Sequence, residues 1–197
     1  MVQEVKVLLS ESSENRLREL KGRVIKSISI TTAGLPDKQH ESAHNMGFLL
    51  WISSFDGNYA IYSDLKETNG RINFPELVVS SGEYYPNNDR YLEDKEDVQG
   101  ALDYLGGTTK VVSIKIVRDR VSLTIDDICY ELEVDIGLKL RFIEDEMLIM
   151  VRDSSFSLME FWYGQSQDWS IEERNYQQAY MYETSELRRI ERVERDI

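Results

Sequence analysis

Residues Lys110 to Tyr163 read KVVSIKIV-RDR-VSLTI-DD-ICYELEV-DIG-LKLRFI-EDE-MLIMV-RDSS-FSLMEFWY, and this stretch decides the fold class. Its apolar runs of five to eight residues have the length and the Val/Ile/aromatic content of strands. The interruptions are Arg118-Asp119-Arg120, Asp126-Asp127, Asp135-Ile136-Gly137, Glu144-Asp145-Glu146 and Asp153-Ser154-Ser155. Each is too short for a parallel crossover, which needs a dozen or more residues. The spacing therefore predicts strands at Lys110–Val117, Val121–Ile125, Ile128–Val134, Leu138–Ile143, Met147–Val151 and Phe156–Tyr163 in an antiparallel meander. Leu123, Ile125, Tyr130, Leu132, Leu140, Phe142, Leu148 or Ile149, and Phe161 fall where its buried face should be.

On the N-terminal side, Val5–Leu9 has strand composition. Ser10 to Leu20 reads as a short helix, with Ser12 or Ser13 as its cap, Leu17 and Leu20 as its apolar stripe, and Gly22 as its stop. Val24 to Ile30 alternates with period two, a half-buried strand. Phe48–Ser54 and Asn58–Ser63 flank Phe55-Asp56-Gly57, and Asp-Gly between alternating runs is a strong hairpin signal. Ile72–Ser80 reads as a strand interrupted by Pro75. The acidic connection through Asp89, Glu93, Asp94, Glu96 and Asp97 lacks the ligand spacing of a calcium loop. Val98, Ala101, Leu102 and Leu105 share a helical face, closed by Gly106-Gly107. At the C-terminus Leu187, Ile190, Val193 and Ile197 recur at helical intervals, which predicts a helix over Glu186 to Arg195; residues 174–186 are ambiguous between helix and strand.

The whole describes a strand-rich α+β protein: antiparallel meander sheets in a sandwich or barrel-like core, with short helices near the N-terminus, in mid-chain and at the C-terminus. At 197 residues it is expected to be one domain, spanning 1–197. Two similar β-rich halves, about 22–83 and 107–163, are suggested by an echo. Lys26–Ile30, Leu49–Ile52 and Tyr59–Ile61 resemble Val112–Ile116, Val121–Ile125 and Tyr130–Leu132, although alternation alone generates such matches.

Composition narrows the class of function. Apolar residues make up 41% and charged residues 30%, ordinary for a folded soluble protein. No window has the apolar length needed to cross a bilayer, and the N-terminus lacks the pattern of a secretory signal. Cys129 is the only cysteine, so an intramolecular disulfide is impossible. A cytoplasmic location is the expectation. The formal net charge of −13 disfavours nucleic acid and suits a basic protein partner, or simple solubility.

One string spells out chemistry. His40-Glu41-Ser42-Ala43-His44 is an H-E-x-x-H sequence holding both histidines of the chain. On a helix these imidazoles would share a face and grip zinc while Glu41 polarises a bound water, the arrangement of a zinc-dependent hydrolase. The setting opposes this reading. Pro36 and Gly47 bound a helical window of about three turns, capped by Asp37 and offering only Ala43 and Met46 to bury. No third histidine exists, so a third ligand would have to be Glu67, Glu76 or Glu83. A polar surface loop joining two strands fits better, and no metal or cofactor is expected. No phosphate loop or nucleophile elbow occurs, and Cys129 reads as a small strand residue. The aromatic run Phe161-Trp162-Tyr163, followed by Trp169, Tyr176, Tyr180 and Tyr182, is the best candidate for a binding surface, unless the C-terminal segment covers it. The leading functional reading is a non-enzymatic cytoplasmic protein-binding module, with the profile of an acidic inhibitor or immunity-like protein. The alternatives are the zinc hydrolase and a structural subunit of a larger assembly.

Overall fold

The computed structural model describes residues 2–32, 44–67, 73–82, 108–153, 158–164, 180 and 185–197. Within them run β1 (Val2–Val7), α1 (Glu11–Leu20), β2 (Val24–Thr32), β3 (His44–Ser54), β4 (Asn58–Glu67), β5 (Asn73–Ser81) and β6 (Thr109–Lys110). β7 (Ser113–Ile125), β8 (Ile128–Arg141), β9 (Glu146–Asp153), β10 (Leu158–Gly164) and β11 (Ser185–Asp196) follow. The expected mid-chain helix at Val98–Leu105 lies outside the described residues.

The strands pair in the order β11-β7-β8-β9-β10-β3-β2-β6, with β1 beside β8 and with β4 and β5 branching from β3. The sheet does not close into a barrel; it makes a strand-rich α+β sandwich-like fold. β7 to β10 are consecutive antiparallel neighbours, as the short connections require. All the expected core positions are buried, and on β9 both Leu148 and Ile149 are. Met147 to Val151 is buried without a break, the mark of a strand covered on both faces.

Two of the acidic interruptions are not turns. Arg118-Asp119-Arg120 lies inside β7 and Asp135-Ile136-Gly137 inside β8, so four of the six expected strands merge into two longer ones. The two tripeptides face each other: Arg118 is opposite Asp135 and Val117 opposite Gly137, leaving Ile136 as an extra, bulged residue. Here the buried positions of β7 change phase, from Val117, Asp119, Val121, Leu123 and Ile125 to Ile114 and Ile116. The partner of β8 changes at the same place. Up to Val134 its second edge carries β1, in parallel; from Gly137 onward it carries β9. The neighbour of β8 and the buried phase of β7 thus change together at this bulge, within one continuous core.

Of the other interruptions, Asp126-Asp127 is a two-residue hairpin turn with φ of +48° and +64°, the conformation that matches strand twist. Glu144 and Asp145 close a turn in which the Phe142 amide donates to the Asp145 carbonyl. The third hairpin, β3 to β4, turns at Ser54–Gly57, where the Ser54 amide and hydroxyl both donate to the Gly57 carbonyl. The segments compared as an echo do not correspond strand for strand. Lys26–Ile30 and Leu49–Ile52 belong to β2 and β3, whereas Ile114–Ile116 and Val121–Ile125 lie along β7.

At the C-terminus a strand stands where a helix was expected. β11 runs antiparallel to β7, with Leu187 opposite Leu123 and Arg189 opposite Ser122, so Arg188 is bulged. That bulge returns Ile190 to the pleat of Leu187, and a three-residue spacing then imitates a helical turn. α1 is capped by Ser10, whose side chain accepts the Ser13 amide, and not by Ser12 or Ser13. Ser13 serves elsewhere. Its buried hydroxyl accepts from the Val79 amide and donates to the Val79 carbonyl. Among the described residues β5 pairs only with β4, so α1 shields an edge strand that also tolerates Pro75. Phe74 of β5 meets Tyr130 of β8 edge-on at 6.2 Å, joining the layers.

Gly137 is required where β9 joins. A Cβ there would sit 2.4 Å from the Ile149 carbonyl oxygen and from Met150 Sδ. Gly137→Ala is expected to lower stability by roughly 1–3 kcal/mol through backbone displacement, read as a shift of the urea midpoint; an unchanged midpoint would contradict the close packing.

Candidate functional site

Buried ionisable groups are the first place to look for chemistry, and two carboxylates here are almost wholly enclosed. Asp119 receives Arg192 Nε at 2.6 Å, Arg192 Nη2 at 2.7 Å and the Tyr180 hydroxyl at 3.0 Å. Asp135 receives Arg118 Nε at 2.7 Å, Arg118 Nη2 at 3.2 Å and the Leu9 amide at 2.8 Å. Both ion pairs are bidentate, the strong geometry for a guanidinium. Their partners come from β7, β11, the segment after β1, and Tyr180. The carboxylates thus tie distant parts of the chain to the bulge, and their lone pairs are spent on the protein itself. Breaking one such pair strands a buried charge. Asp119→Ala is expected to cost roughly 3–5 kcal/mol, with Arg192→Ala adding little to it; additive losses in urea unfolding would show that the two side chains act independently.

The solvent side of the same ribbon carries two charge clusters, one on each side of the bulge. Glu133 lies 3.2 Å from Lys6, 3.4 Å from Arg118 and 3.9 Å from Arg120. Glu194 lies 2.8 Å from Lys115 and 3.7 Å from Lys139, which in turn is 3.7 Å from Glu146. Hydrogen bonds from Lys6 and Lys115, respectively, hold the carboxyls of Glu133 and Glu194 below the usual carboxylate value, against some desolvation. Glu14 of α1 is lowered likewise by Arg195 of β11. Because the folded values are lowered, the stability these pairs contribute is present above about pH 4.5 and lost as pH falls through the folded values. Melting temperature should therefore fall in acid, and less steeply in Glu133→Gln and Glu194→Gln; identical acid profiles would remove these pairs from the account. The second cluster sets two cations against two carboxylates, whereas the first gathers Lys6, Arg118 and Arg120 about Glu133, with Arg118 also matched by Asp135.

The residues singled out in the sequence do not converge. His44 opens β3, its backbone opposite Trp162 of β10, so His44, Asn45 and Met46 are strand, neither the polar loop that was expected nor the helix that the zinc alternative needs. His40, Glu41, Ser42, Ala43 and Glu83 lie outside the described residues. Glu76, on β5, pairs with Lys66 at 3.5 Å. Among the described residues no cluster of three His, Cys, Asp or Glu is placed to hold a metal. Cys129 is half-buried on β8, within 3.8 Å of the Thr124 hydroxyl and 3.7 Å of Arg188. Of the aromatics, Phe161 and Tyr180 are buried, and Trp162 and Tyr163 are packed partly against the core. The Tyr163 hydroxyl donates to Asp145, and burial, with that bond, pushes its pKa up. Trp169, Tyr176 and Tyr182 lie outside the described residues.

The structure gathers a different set. Among the described residues six large hydrophobic side chains stand exposed, and four of them fall at one end: Val24 (40%), Phe55 (62%), Val112 (48%) and Ile143 (65%). Backbone bonds place them side by side. The Phe55 amide donates to the Val24 carbonyl, Val24 pairs with Lys110, and the Val112 amide donates to the Arg141 carbonyl. Buried Phe142 separates exposed Arg141 from exposed Ile143. Lys26, in a bulge of β2, lies over the Phe55 ring at 4.3 Å. Sequence reading passed over these residues because each sits singly at a strand end, in a turn or at a bulge.

No family model, curated protein or solved structure matches the chain. No helix among the described residues is long and apolar enough to cross a membrane.

Proposed function

We propose that the chain is a cytoplasmic protein-binding module, inhibitor- or immunity-like in kind, that docks through the end bearing Val24, Phe55, Val112 and Ile143. The observation that carries this reading is the concentration there of four of the six large hydrophobics that are exposed among the described residues. Scattered apolar side chains are normal on a surface; a cluster rimmed by polar groups is the usual signature of a contact. Phe55, on a tight turn with its ring mostly in solvent, has the shape of an anchor for a partner's pocket. The net charge of −13 opposes a polyphosphate partner, and an unpaired Cys129 suits a reducing compartment.

The test is comparative capture from the source cytosol with immobilised wild type, Phe55→Glu and Ile143→Glu, beside Arg16→Glu on the exposed face of α1. A partner retained by wild type and Arg16→Glu, and lost from the other two, is expected. Phe55 and Ile143 are solvent-exposed, and Arg16 is half-exposed in a surface pair with Glu19, so stability should change by no more than about 1 kcal/mol in any of the three. Equal retention by all four proteins would move the docking surface elsewhere.

A further inference from the structure

We infer that the segment docking on this end is an acidic stretch of a partner protein carrying apolar or aromatic side chains. The inference rests on the docking reading above and adds the chemistry of the partner. Net charge taken alone favours a basic one. Charges screen one another beyond about 8 Å at physiological ionic strength, however, so a docked segment senses the groups within reach and little of the whole.

Among the described residues those groups are mainly basic. Lys110 lies beside Val24 in the β2–β6 ladder, Arg141 is bonded through its carbonyl to Val112, and Lys26 lies over Phe55. Arg23 is adjacent as well and is matched by Asp56. Among the described residues Lys26, Lys110 and Arg141 enter no ion pair, in contrast to the paired charges along β7, β8 and β11. Among the described residues the acids at this end are fewer. Asp56 is taken up by Arg23, Asp145 by the Tyr163 hydroxyl, and Glu146, opposite Arg141 in the β8–β9 ladder, by Lys139, which leaves exposed Glu144 next to Ile143. Three cations outside any ion pair therefore neighbour four exposed apolar residues along the backbone. A segment in which carboxylates alternate with aromatic or aliphatic residues is complementary to that pattern, the carboxylates fixing register and approach and the apolar groups holding the contact. A bare phosphate chain would leave Phe55 and Ile143 uncovered.

Random poly(Glu,Tyr) can stand in for such a segment. Poly-glutamate serves as the charge-only control, with poly-lysine, oligothymidylate and phosphatidylserine vesicles as competing chemistries. The full chain should bind poly(Glu,Tyr) more tightly than poly-glutamate, despite carrying the same sign of net charge as both. Lys26→Glu with Lys110→Glu should weaken that binding roughly tenfold, and Phe55→Ala at least about fivefold; Lys6→Glu, far along β1, should leave it unchanged. No binding, or binding indifferent to these variants, overturns the inference. So does poly-lysine, oligothymidylate or vesicle binding that the Phe55 variant abolishes while poly(Glu,Tyr) does not bind. A cytosolic partner lost with Phe55→Glu but retained by the double charge reversal would overturn the acidic partner and leave the docking surface standing.

Discussion

The architecture depends on an antiparallel ribbon that bends where a charged side chain on each strand is buried. A strand of β7's length, flanked on both sides, would ordinarily be apolar on its inner pleat from end to end. Here Asp119 and Asp135 sit within the ribbon, one bound to Arg192 and Tyr180, the other to Arg118 and the Leu9 amide. Burying a carboxylate is costly unless every lone pair finds a donor. The donors come from segments far away in sequence, so satisfying the two acids obliges the N-terminal and C-terminal parts of the chain to converge on the middle. The bulge at Ile136 makes the geometry possible: it offsets the two strands by one residue, sets Arg118 against Asp135, and frees the edge of β8 on which β1 ends and β9 begins. Apolar burial supplies most of the driving force for folding, but it is indifferent to register. The ion pairs are not.

This constraint also explains which parts of the fold are legible in the sequence. Antiparallel pairing of neighbours in Lys110–Tyr163, the Phe55-Asp56-Gly57 hairpin, the N-terminal helix and the core positions all follow from local pattern, and the structure has them. The pattern misleads where a local signal has a distant cause. Arg118-Asp119-Arg120 and Asp135-Ile136-Gly137 have turn composition because buried ion pairs and turns draw on the same residues; only their mutual opposition distinguishes the cases, and opposition is not written in either tripeptide. Leu187 and Ile190 keep helical spacing because Arg188 bulges, and the bulge exists only against β7. Ser10 and Ser13 are equally good caps by composition. Which of them caps is settled by the Val79 edge, some sixty-six residues away, that the Ser13 hydroxyl occupies.

The candidate site was less legible still, for a related reason. A motif such as His40–His44 is visible because it is contiguous, yet its chemistry would require a helix, and from His44 onward the backbone is strand. Phe55, Val24, Val112 and Ile143 come from a turn, a strand start, a linker and a strand end, so no window of sequence contains even two of them. What unites them is the register of β2 with β6 and of β7 with β8.

The same logic separates net charge from recognition. A total of −13 is a property of the composition, and composition governs solubility and long-range approach. Contact is governed by what the fold leaves unmatched. Along the ribbon, opposite charges sit on adjacent strands and pair with one another. At the end where β2, β6 and the turn after β8 meet, strands stop pairing, and Lys26, Lys110 and Arg141 stand among apolar side chains that nothing else in the described chain covers. Net charge therefore does not fix the sign of any one part of the surface, because sheet register decides which charges are spent on the fold and which are left outside an ion pair.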